Sequence, residues 1–142
     1  MLRPETYAGA ALAANAIWTL LDQRRYEDIL SYLTPDCAWE RGEGWRHGHD
    51  DLRASFEVRP ADLLTRHVIT NFTAEFADDG SLKGRCYLIA YVAKTQDHGA
   101  TQLMDQPYII ADIDLEFVQS DNGILISKVS VHHAFAVQAL LK

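Results

Sequence analysis

The apolar positions follow a helical period through the first part of the chain. Small and apolar residues dominate 4–22 and predict a helix over about that range. A second helix is predicted over about 24–33, where apolar residues recur at spacings of three and four, and it ends before Pro35. A third is predicted from Asp50, a candidate N-cap, to a point before Pro60.

Beyond residue 65 the period of the apolar positions changes to two, which is typical of strands. Four strands are predicted, at 66–77, 82–94, 107–119 and 124–137. The dipeptides Asp79-Gly80 and Asn122-Gly123 favour hairpin turns, and 95–106 is predicted to be a polar loop. A helical half followed by a strand-rich half indicates an α+β fold, with three helices covering one face of an antiparallel sheet.

Composition and charge then narrow the classes of function. The chain has 142 residues, of which 48% are hydrophobic, and this predicts one domain with a sizeable core. Its formal net charge of −7 excludes a nucleic-acid partner. The segment 4–22 carries polar residues and lacks both the apolar length of a membrane span and a signal-peptide pattern, so we expect a cytoplasmic protein without a membrane partner. Cys37 and Cys86 are expected to be reduced thiols in the core.

Two polar side chains share one face of the first helix with a tryptophan. At about 100° per residue, Asn15, Trp18 and Asp22 fall on one stripe. This stripe has two interpretations. Either Asn15 and Asp22 point into an internal cavity, or Asp22 is exposed to solvent at the C-terminal end of the helix. His67 begins the first predicted strand. With a carboxylate beside it, a histidine is oriented, its imidazolium is stabilised, and it can act as a base near neutral pH.

Other polar clusters are less specific. The segment 45–51 (WRHGHDD) has residues that bind divalent metals, but its spacing matches no recognised ligand pattern, and we expect no metal. Acidic and apolar residues alternate over 112–117, which fits either a solvated face of the sheet or a pocket wall lined with carboxylates. Neighbouring residues of a strand point to opposite faces, so at most one of His132 and His133 can enter a pocket. Because the chain has no Gly-rich phosphate loop and no nucleophile motif, no cofactor is expected.

A family resemblance is carried by three segments: LLDQRRYEDILSYLTPDCAWE (20–40), GWRHGHDDLRASF (44–56) and TRHVITNFTAEF (65–76). They resemble motifs of the SnoaL-like branch of the nuclear-transport-factor-2-like superfamily, and the resemblance extends over about 7–135. It implies a single domain, 1–142, folded as a cone-shaped α+β barrel, and assembly as a homodimer or homotrimer. The scaffold hosts isomerases, cyclases, dehydratases, epoxide hydrolases and non-catalytic subunits, so it does not decide the activity.

Some members of that superfamily suggest a mechanism. Scytalone dehydratase, bile acid 7α-dehydratase and hexachlorocyclohexane dehydrochlorinase pair an aspartate of the first helix with a histidine at this strand start. Asp22 and His67 match that pair, and Trp39 matches a pocket-lining tryptophan of the dehydrochlorinase. The resemblance implies a cofactor-independent enzyme in which His67 takes a proton from a hydrophobic organic substrate, leading to elimination or isomerisation. Ile17 stands where those enzymes carry a Lys or Tyr proton donor.

The remaining expectations concern the pocket wall and two alternative functions. The expected pocket residues are Asn15, Trp18, Trp39, Phe56, Asn71, Tyr87, Tyr91 and Tyr108. One alternative is a non-catalytic ligand-binding or subunit-type module, because 20–36 and 65–71 also resemble the small subunit of aromatic-ring-hydroxylating dioxygenases. The other is epoxide hydrolysis, for which Arg85 is a candidate without a placed pair of aspartates.

Overall fold

Three helices and six strands make up residues 2–138, the part of the chain that the computed structural model describes. They follow in the order α1 (Pro4–Asp22), α2 (Tyr26–Leu30), β1 (Leu33–Arg41), β2 (Gly44–His47), α3 (Gly48–Glu57), β3 (Leu63–Phe76), β4 (Leu82–Lys94), β5 (Ile109–Ser120) and β6 (Gly123–Ala136). None of these helices combines the length and the apolar character that crossing a membrane requires.

The six strands form one curved, open sheet in the order β2-β1-β6-β5-β4-β3. Strands β3 to β6 are the antiparallel meander that the period of two predicts, and Gly80 and Gly123 take the positive φ values of its hairpin turns. Alternate residues of the meander, such as Cys86 and Ile113, are buried beneath the helices. The predicted α+β class is confirmed.

The segment 33–47 differs from the prediction. It forms β1 and β2 instead of the end of a helix and a connecting stretch, and α2 is correspondingly only Tyr26–Leu30. β1 runs parallel to β6, with Trp39 opposite Val129, so the sheet is mixed and not wholly antiparallel. The period of two is hidden here because Pro35 and its neighbour are exposed in the middle of the strand, where the pairing with β6 shifts register.

The start of α3 also differs from the prediction. Gly48, with a φ of 83°, turns the chain directly from β2 into the helix. Asp50 is therefore inside the first turn, where it pairs with Arg53, and it is not the N-cap. The neighbouring Asp51 accepts the backbone N–H of His47 at 2.9 Å, so it satisfies a donor at the helix start from within the helix.

The core lies between α1 and the concave face of the sheet. α1 packs on β3 and β6, and its alanines allow a close approach to the strands. The predicted helix over 4–22 coincides with this element. Cys37 and Cys86 are free and buried, and burial raises the pKa of each thiol to about 12. Both cysteines are therefore packing residues that stay protonated at neutral pH.

Asn71 produces a β-bulge in β3. Its φ is 56°, and the pairing of β3 with β4 shifts between Thr70 and Thr73. Asparagine tolerates this left-handed conformation better than most residues, whereas β-branched residues do not. The residue is exposed, so its place in the sequence reflects the backbone and not a pocket wall.

We expect Asn71→Val to lower the free energy of unfolding by about 1–2 kcal/mol, because a branched side chain strains a left-handed backbone. Asn71→Gly should retain the stability of the parent, since glycine adopts positive φ freely. Urea unfolding of both variants checks this. Equal stability of the valine and glycine variants would contradict the role given to the bulge.

Candidate functional site

The last residue of α1 and a residue near the start of β3 form a buried acid–imidazole pair. Oδ1 of Asp22 lies 2.6 Å from Nδ1 of His67, and Oδ2 accepts the backbone N–H of His67 at 2.8 Å. The side chains are only 10% and 11% exposed, respectively. Both oxygens of the carboxylate are thus engaged by one residue, which fixes the imidazole ring relative to the helix.

The end of α1 is shaped by a residue that the sequence analysis did not single out. Arg24 takes a φ of 60°, and its N–H bonds to the carbonyl of Leu21, as in a helix C-cap that usually contains glycine. Its guanidinium donates to the carbonyls of Pro60 and Leu63, each at 2.6 Å. These bonds tie the helix end to the start of β3 and so bring Asp22 against that strand.

Asp22 lies at the negative end of the α1 dipole, where a carboxylate is disfavoured by about 0.3–1 kcal/mol. Hydrogen bonds offset this cost: besides the two from His67, the hydroxyl of Thr65 donates to Oδ1 at 2.8 Å. Thr65 in turn accepts a hydrogen bond from the guanidinium of Arg59 at 2.8 Å. Hydrogen bonds to a charged group contribute about 1.5–3 kcal/mol each, so the donors outweigh the dipole.

A row of aromatic rings leads from His67 into the core. The Trp18 ring lies 5.1 Å from the imidazole at an interplanar angle of 32°, and Trp39 meets Trp18 edge-on at 5.1 Å. Phe56 continues the row at 5.6 Å from Trp39. Three expected pocket residues therefore fill the interior beside the pair. Among residues 2–138 nothing hydrogen-bonds to Nε2 of His67, and that atom is not among the fully buried unpartnered polar atoms.

Arg41 is a second residue that the sequence analysis missed. Its guanidinium lies over the rings of Trp39 and Phe56, at 5.3 and 5.1 Å from their centroids, and Nε donates to Ser55. Burial lowers the pKa of Arg41 to about 10, and Glu43 opposes that shift. The group is still protonated at neutral pH, so it places a positive charge at the end of the aromatic row. No spacing in the sequence indicates this role, since an arginine after a strand tryptophan is unremarkable.

The two predicted amide residues lie outside this site. Asn15 is exposed on α1, and its side-chain amide donates to the carbonyl of Ala11 at 2.8 Å. The stripe through Asn15 and Trp18 is wide enough for the tryptophan to be buried while the asparagine remains in solvent. Asn71 is exposed in the bulge of β3. Neither side chain is brought to the Asp–His pair.

The strand tyrosines also lie away from the pair. His67 is opposite Ala90 on β4, so the alternation of β4 turns Tyr91 and Tyr87 to the outer face of the sheet. Tyr87 is 44% exposed, and Tyr108, just before β5, is 37% exposed. The sequence could not decide which face of each strand is the inner one, and these positions depended on that choice.

The acidic residues of β5 belong to the solvated outer face. Asp114 pairs with Arg85 at 2.8 Å, and Glu116 pairs with Lys83 at 3.5 Å. Arg85 is thereby committed to a surface ion pair away from Asp22. In the segment 45–51 the charged side chains have partners of their own, and across residues 2–138 no group of three His, Cys, Asp or Glu side chains is arranged to hold a metal.

A cavity of about 410 Å³ lies beside the pair, at the end of the sheet where the loop between β4 and β5 folds over β3 and β4. Its wall includes Tyr91, one of the expected pocket residues, and Thr65, which contacts Asp22. Apolar and polar side chains both contribute to the rest of the wall, among them Leu64, Val92, Met104, Arg66 and Gln102. Asp22 and His67 are not part of the wall. Thr65 therefore links the wall of the cavity to the pair.

Comparison with protein-family models shows which family this chain belongs to. A family model described as SnoaL-like domain matches residues 9–130. The chain belongs to this family. No curated protein sequence matches the chain. Membership of the SnoaL-like family agrees with the resemblance that the three sequence segments carry.

Solved structures similar to this SnoaL-like domain share its fold at low sequence identity. A proposed aromatic ring hydroxylase from Novosphingobium aromaticivorans has a TM-score of 0.79 and 15% identity, over 95% of this chain and 93% of its own. A proposed scytalone dehydratase from the same species has a TM-score of 0.73 and 13% identity, over 90% and 83%. A type 2 hexachlorocyclohexane dehydrochlorinase has a TM-score of 0.73 and 17% identity, over 90% and 84%.

Proposed function

We propose that this SnoaL-like domain is a cofactor-independent enzyme in which His67 removes a proton from a hydrophobic organic molecule, and that the reaction is an elimination or an isomerisation. The observation that carries the proposal is the enclosed contact of 2.6 Å between Asp22 Oδ1 and His67 Nδ1. A histidine held in this way by a carboxylate has one defined tautomer, and its imidazolium is stabilised when it forms.

The proposed chemistry uses the other ring nitrogen. With Nδ1 hydrogen-bonded to Asp22, Nε2 carries the lone pair that takes the proton from carbon. In an elimination the electron pair of that C–H bond forms a double bond, and the leaving group departs from the next carbon. A halide leaves as the anion, whereas a hydroxyl leaves as water after taking the proton back from the imidazolium. In an isomerisation the proton returns to a different carbon.

The surroundings of the pair favour an apolar substrate. Trp18 covers one side of the imidazole, and the neighbouring cavity offers the apolar side chains of Leu64, Val92 and Met104 beside polar ones such as Gln102. We propose that the substrate enters through this cavity and that displacement of side chains around Thr65 gives it access to Nε2. Low water content near the base would strengthen its interaction with the reacting C–H bond.

The alternative function is a non-catalytic ligand-binding or subunit-type module. It is favoured by the filled interior, where Trp18, Trp39 and Phe56 pack ring against ring. The similarity in fold to a proposed aromatic ring hydroxylase is compatible with it. Assembly as a homodimer or homotrimer stays a prediction under either function, and mass measurement in solution checks it.

We expect His67→Gln to lower kcat by about 10²–10⁴-fold, because that is the contribution of a positioned general base. Turnover is followed with any organic ligand that native mass spectrometry finds bound to the purified protein, and with scytalone and hexachlorocyclohexane as first probes. The probes follow from the relatives named as a scytalone dehydratase and a dehydrochlorinase.

The matched control is His132→Gln, because His132 is exposed opposite Asp112 on the outer face of the sheet. It should retain the rate of the parent. If His67→Gln folds and turns over substrate at the parental rate, His67 is not the base. If no ligand is bound and no probe reacts, the non-catalytic module is favoured.

A further inference from the structure

One guanidinium contacts both chain segments that carry the Asp–His pair. Nη1 of Arg59 donates to the carbonyl of Leu21 at 2.7 Å, and Nη2 donates to the hydroxyl of Thr65 at 2.8 Å. Leu21 directly precedes Asp22, and Thr65 lies on the same face of β3 as His67. The planar group of Arg59 therefore fixes the end of α1 relative to the start of β3.

The hydrogen bonds through Thr65 have only one possible direction. Arginine has no acceptor, so Arg59 must donate to Oγ1 of Thr65. Within residues 2–138 the only other partner of that hydroxyl is Oδ1 of Asp22, and its single proton therefore points to Asp22. Oδ1 accepts the hydrogen bond from Thr65, and it lies 2.6 Å from Nδ1 of His67. Since Oδ1 is an acceptor, Nδ1 must carry the proton of the bond between them.

We propose that Arg59 and Thr65 are positioning residues that hold Asp22 as an acceptor and thereby keep the proton of the neutral His67 ring on Nδ1. The inference rests on the proposed function, because a His67 base needs its lone pair on Nε2. Neither residue touches the reacting nitrogen. They act on His67 through Asp22. Among the described residues, the donors to Oδ1 of Asp22 are the hydroxyl of Thr65 and Nδ1 of His67.

The position of Asp22 explains why its carboxylate needs the additional hydrogen bond from Thr65. A carboxylate on the last residue of a helix can turn about its side-chain bonds, and the helix dipole disfavours its charge there. The backbone N–H of His67 holds Oδ2, and within residues 2–138 only Thr65 and the imidazole hold Oδ1. Without Thr65, the orientation of Oδ1 would depend on the same imidazole that it has to orient.

The test is NMR of the protein labelled with ¹⁵N-histidine, together with kinetics. In the parent we expect a slowly exchanging Nδ1–H proton signal from His67, assigned by its absence in His67→Gln. In Thr65→Val, a substitution of equal shape, we expect this signal to be lost through exchange or tautomer mixing. We expect kcat to fall about 10- to 100-fold with KM unchanged, as for one hydrogen bond to a charged group.

The chain offers a matched control. Thr34 is as buried as Thr65, at 6% exposure, and its hydroxyl has no hydrogen-bond partner in the described part of the chain. Thr34→Val therefore removes an equally buried hydroxyl without touching Asp22, and it should keep both the Nδ1–H signal and kcat. Thr65→Ser keeps the donor and should restore both readouts.

A folded Thr65→Val protein that keeps the Nδ1–H signal and kcat of the parent would overturn the inference. If Thr65→Val does not fold, Arg59→Met replaces it: loss of the Arg59 donor frees the Thr65 hydroxyl to turn its proton away from Asp22, and the Nδ1–H signal and kcat should both fall. Arg59→Lys keeps one donor and should give an intermediate signal, whereas parental signal and kcat in Arg59→Met would overturn the role of Arg59. The two proposals fail separately. Loss of the signal in Thr65→Val, combined with full turnover in His67→Gln, would refute the base while leaving the positioning role in place.

Discussion

Asp22→Asn is expected to lower kcat by about 10³–10⁴-fold, because it removes the group that selects the tautomer of the histidine. An asparagine has one oxygen and one amide NH₂ in place of two oxygens. Oδ1 of Asp22 accepts hydrogen bonds from the hydroxyl of Thr65 and from Nδ1 of His67, and Oδ2 accepts one from the backbone N–H of His67. Whichever way the amide is turned, its NH₂ faces a donor.

The amide therefore has two unfavourable arrangements. With its NH₂ towards Nδ1, the proton of the imidazole must move to Nε2, and His67 can no longer act as a base. With its NH₂ towards the backbone N–H of His67, one buried donor is left unpaired, which costs about 1–3 kcal/mol of folding stability. We expect a reduced denaturation midpoint as well as the loss of turnover.

Kinetics and urea unfolding of Asp22→Asn check both effects. The control is Asp114→Asn, which weakens an exposed ion pair with Arg85 on the outer face of the sheet. Exposed pairs contribute about 0–1 kcal/mol, so this variant should retain both rate and stability. Parental turnover in Asp22→Asn would remove the acid–imidazole pair from the mechanism.

The second large effect is expected at Trp39. It is fully buried, packs against Trp18 and Phe56, and carries the guanidinium of Arg41 over its ring. Trp39→Ala should lower the free energy of unfolding by about 3–5 kcal/mol, as expected for truncating a large aromatic side chain in a core. The loss of the ring also removes the cation–π partner of a partly buried arginine, which adds to the cost.

Denaturant unfolding followed by circular dichroism measures this loss. Trp45 provides the control, because it is 40% exposed on β2 and the ammonium group of Lys128 lies 5.5 Å from its ring centroid. Trp45→Ala should cost about 0.5–1 kcal/mol, the value of an exposed cation–π contact. Similar costs at the two positions would mean that the aromatic row is not the centre of the core.

The sequence alone was sufficient to predict features that depend on residues close together in the chain. The helix over 4–22 was predictable because its apolar residues and its initial proline act within the helix itself. Cys37 and Cys86 were predictable as buried thiols for a related reason, since composition and spacing gave them no other role. The contact of Asp22 with His67 followed from the family resemblance, because the two positions match its motif.

The sequence was insufficient where a long-range contact decided the outcome. β1 is a strand because β6 pairs with it, and β6 lies at the other end of the chain. Tyr87 was expected in the pocket, but the pairing of β3 with β4 turns it outwards, and a period of two cannot distinguish the faces. Tyr91 also lies on the outer face, yet it belongs to the wall of the cavity beside the loop between β4 and β5. Arg59 and Arg41 were missed because their partners lie in other elements.

The parallel pairing of β1 with β6 also affects how the chain is completed during synthesis. Trp39 pairs with Val129, so β1 has no neighbouring strand on that side until β6 has been synthesised and has left the ribosome. A nascent chain that ends before β6 exposes the aromatic row and an unpaired strand edge, both of which promote aggregation. We therefore expect C-terminal truncations that remove β6 to be insoluble even though they retain Asp22 and His67.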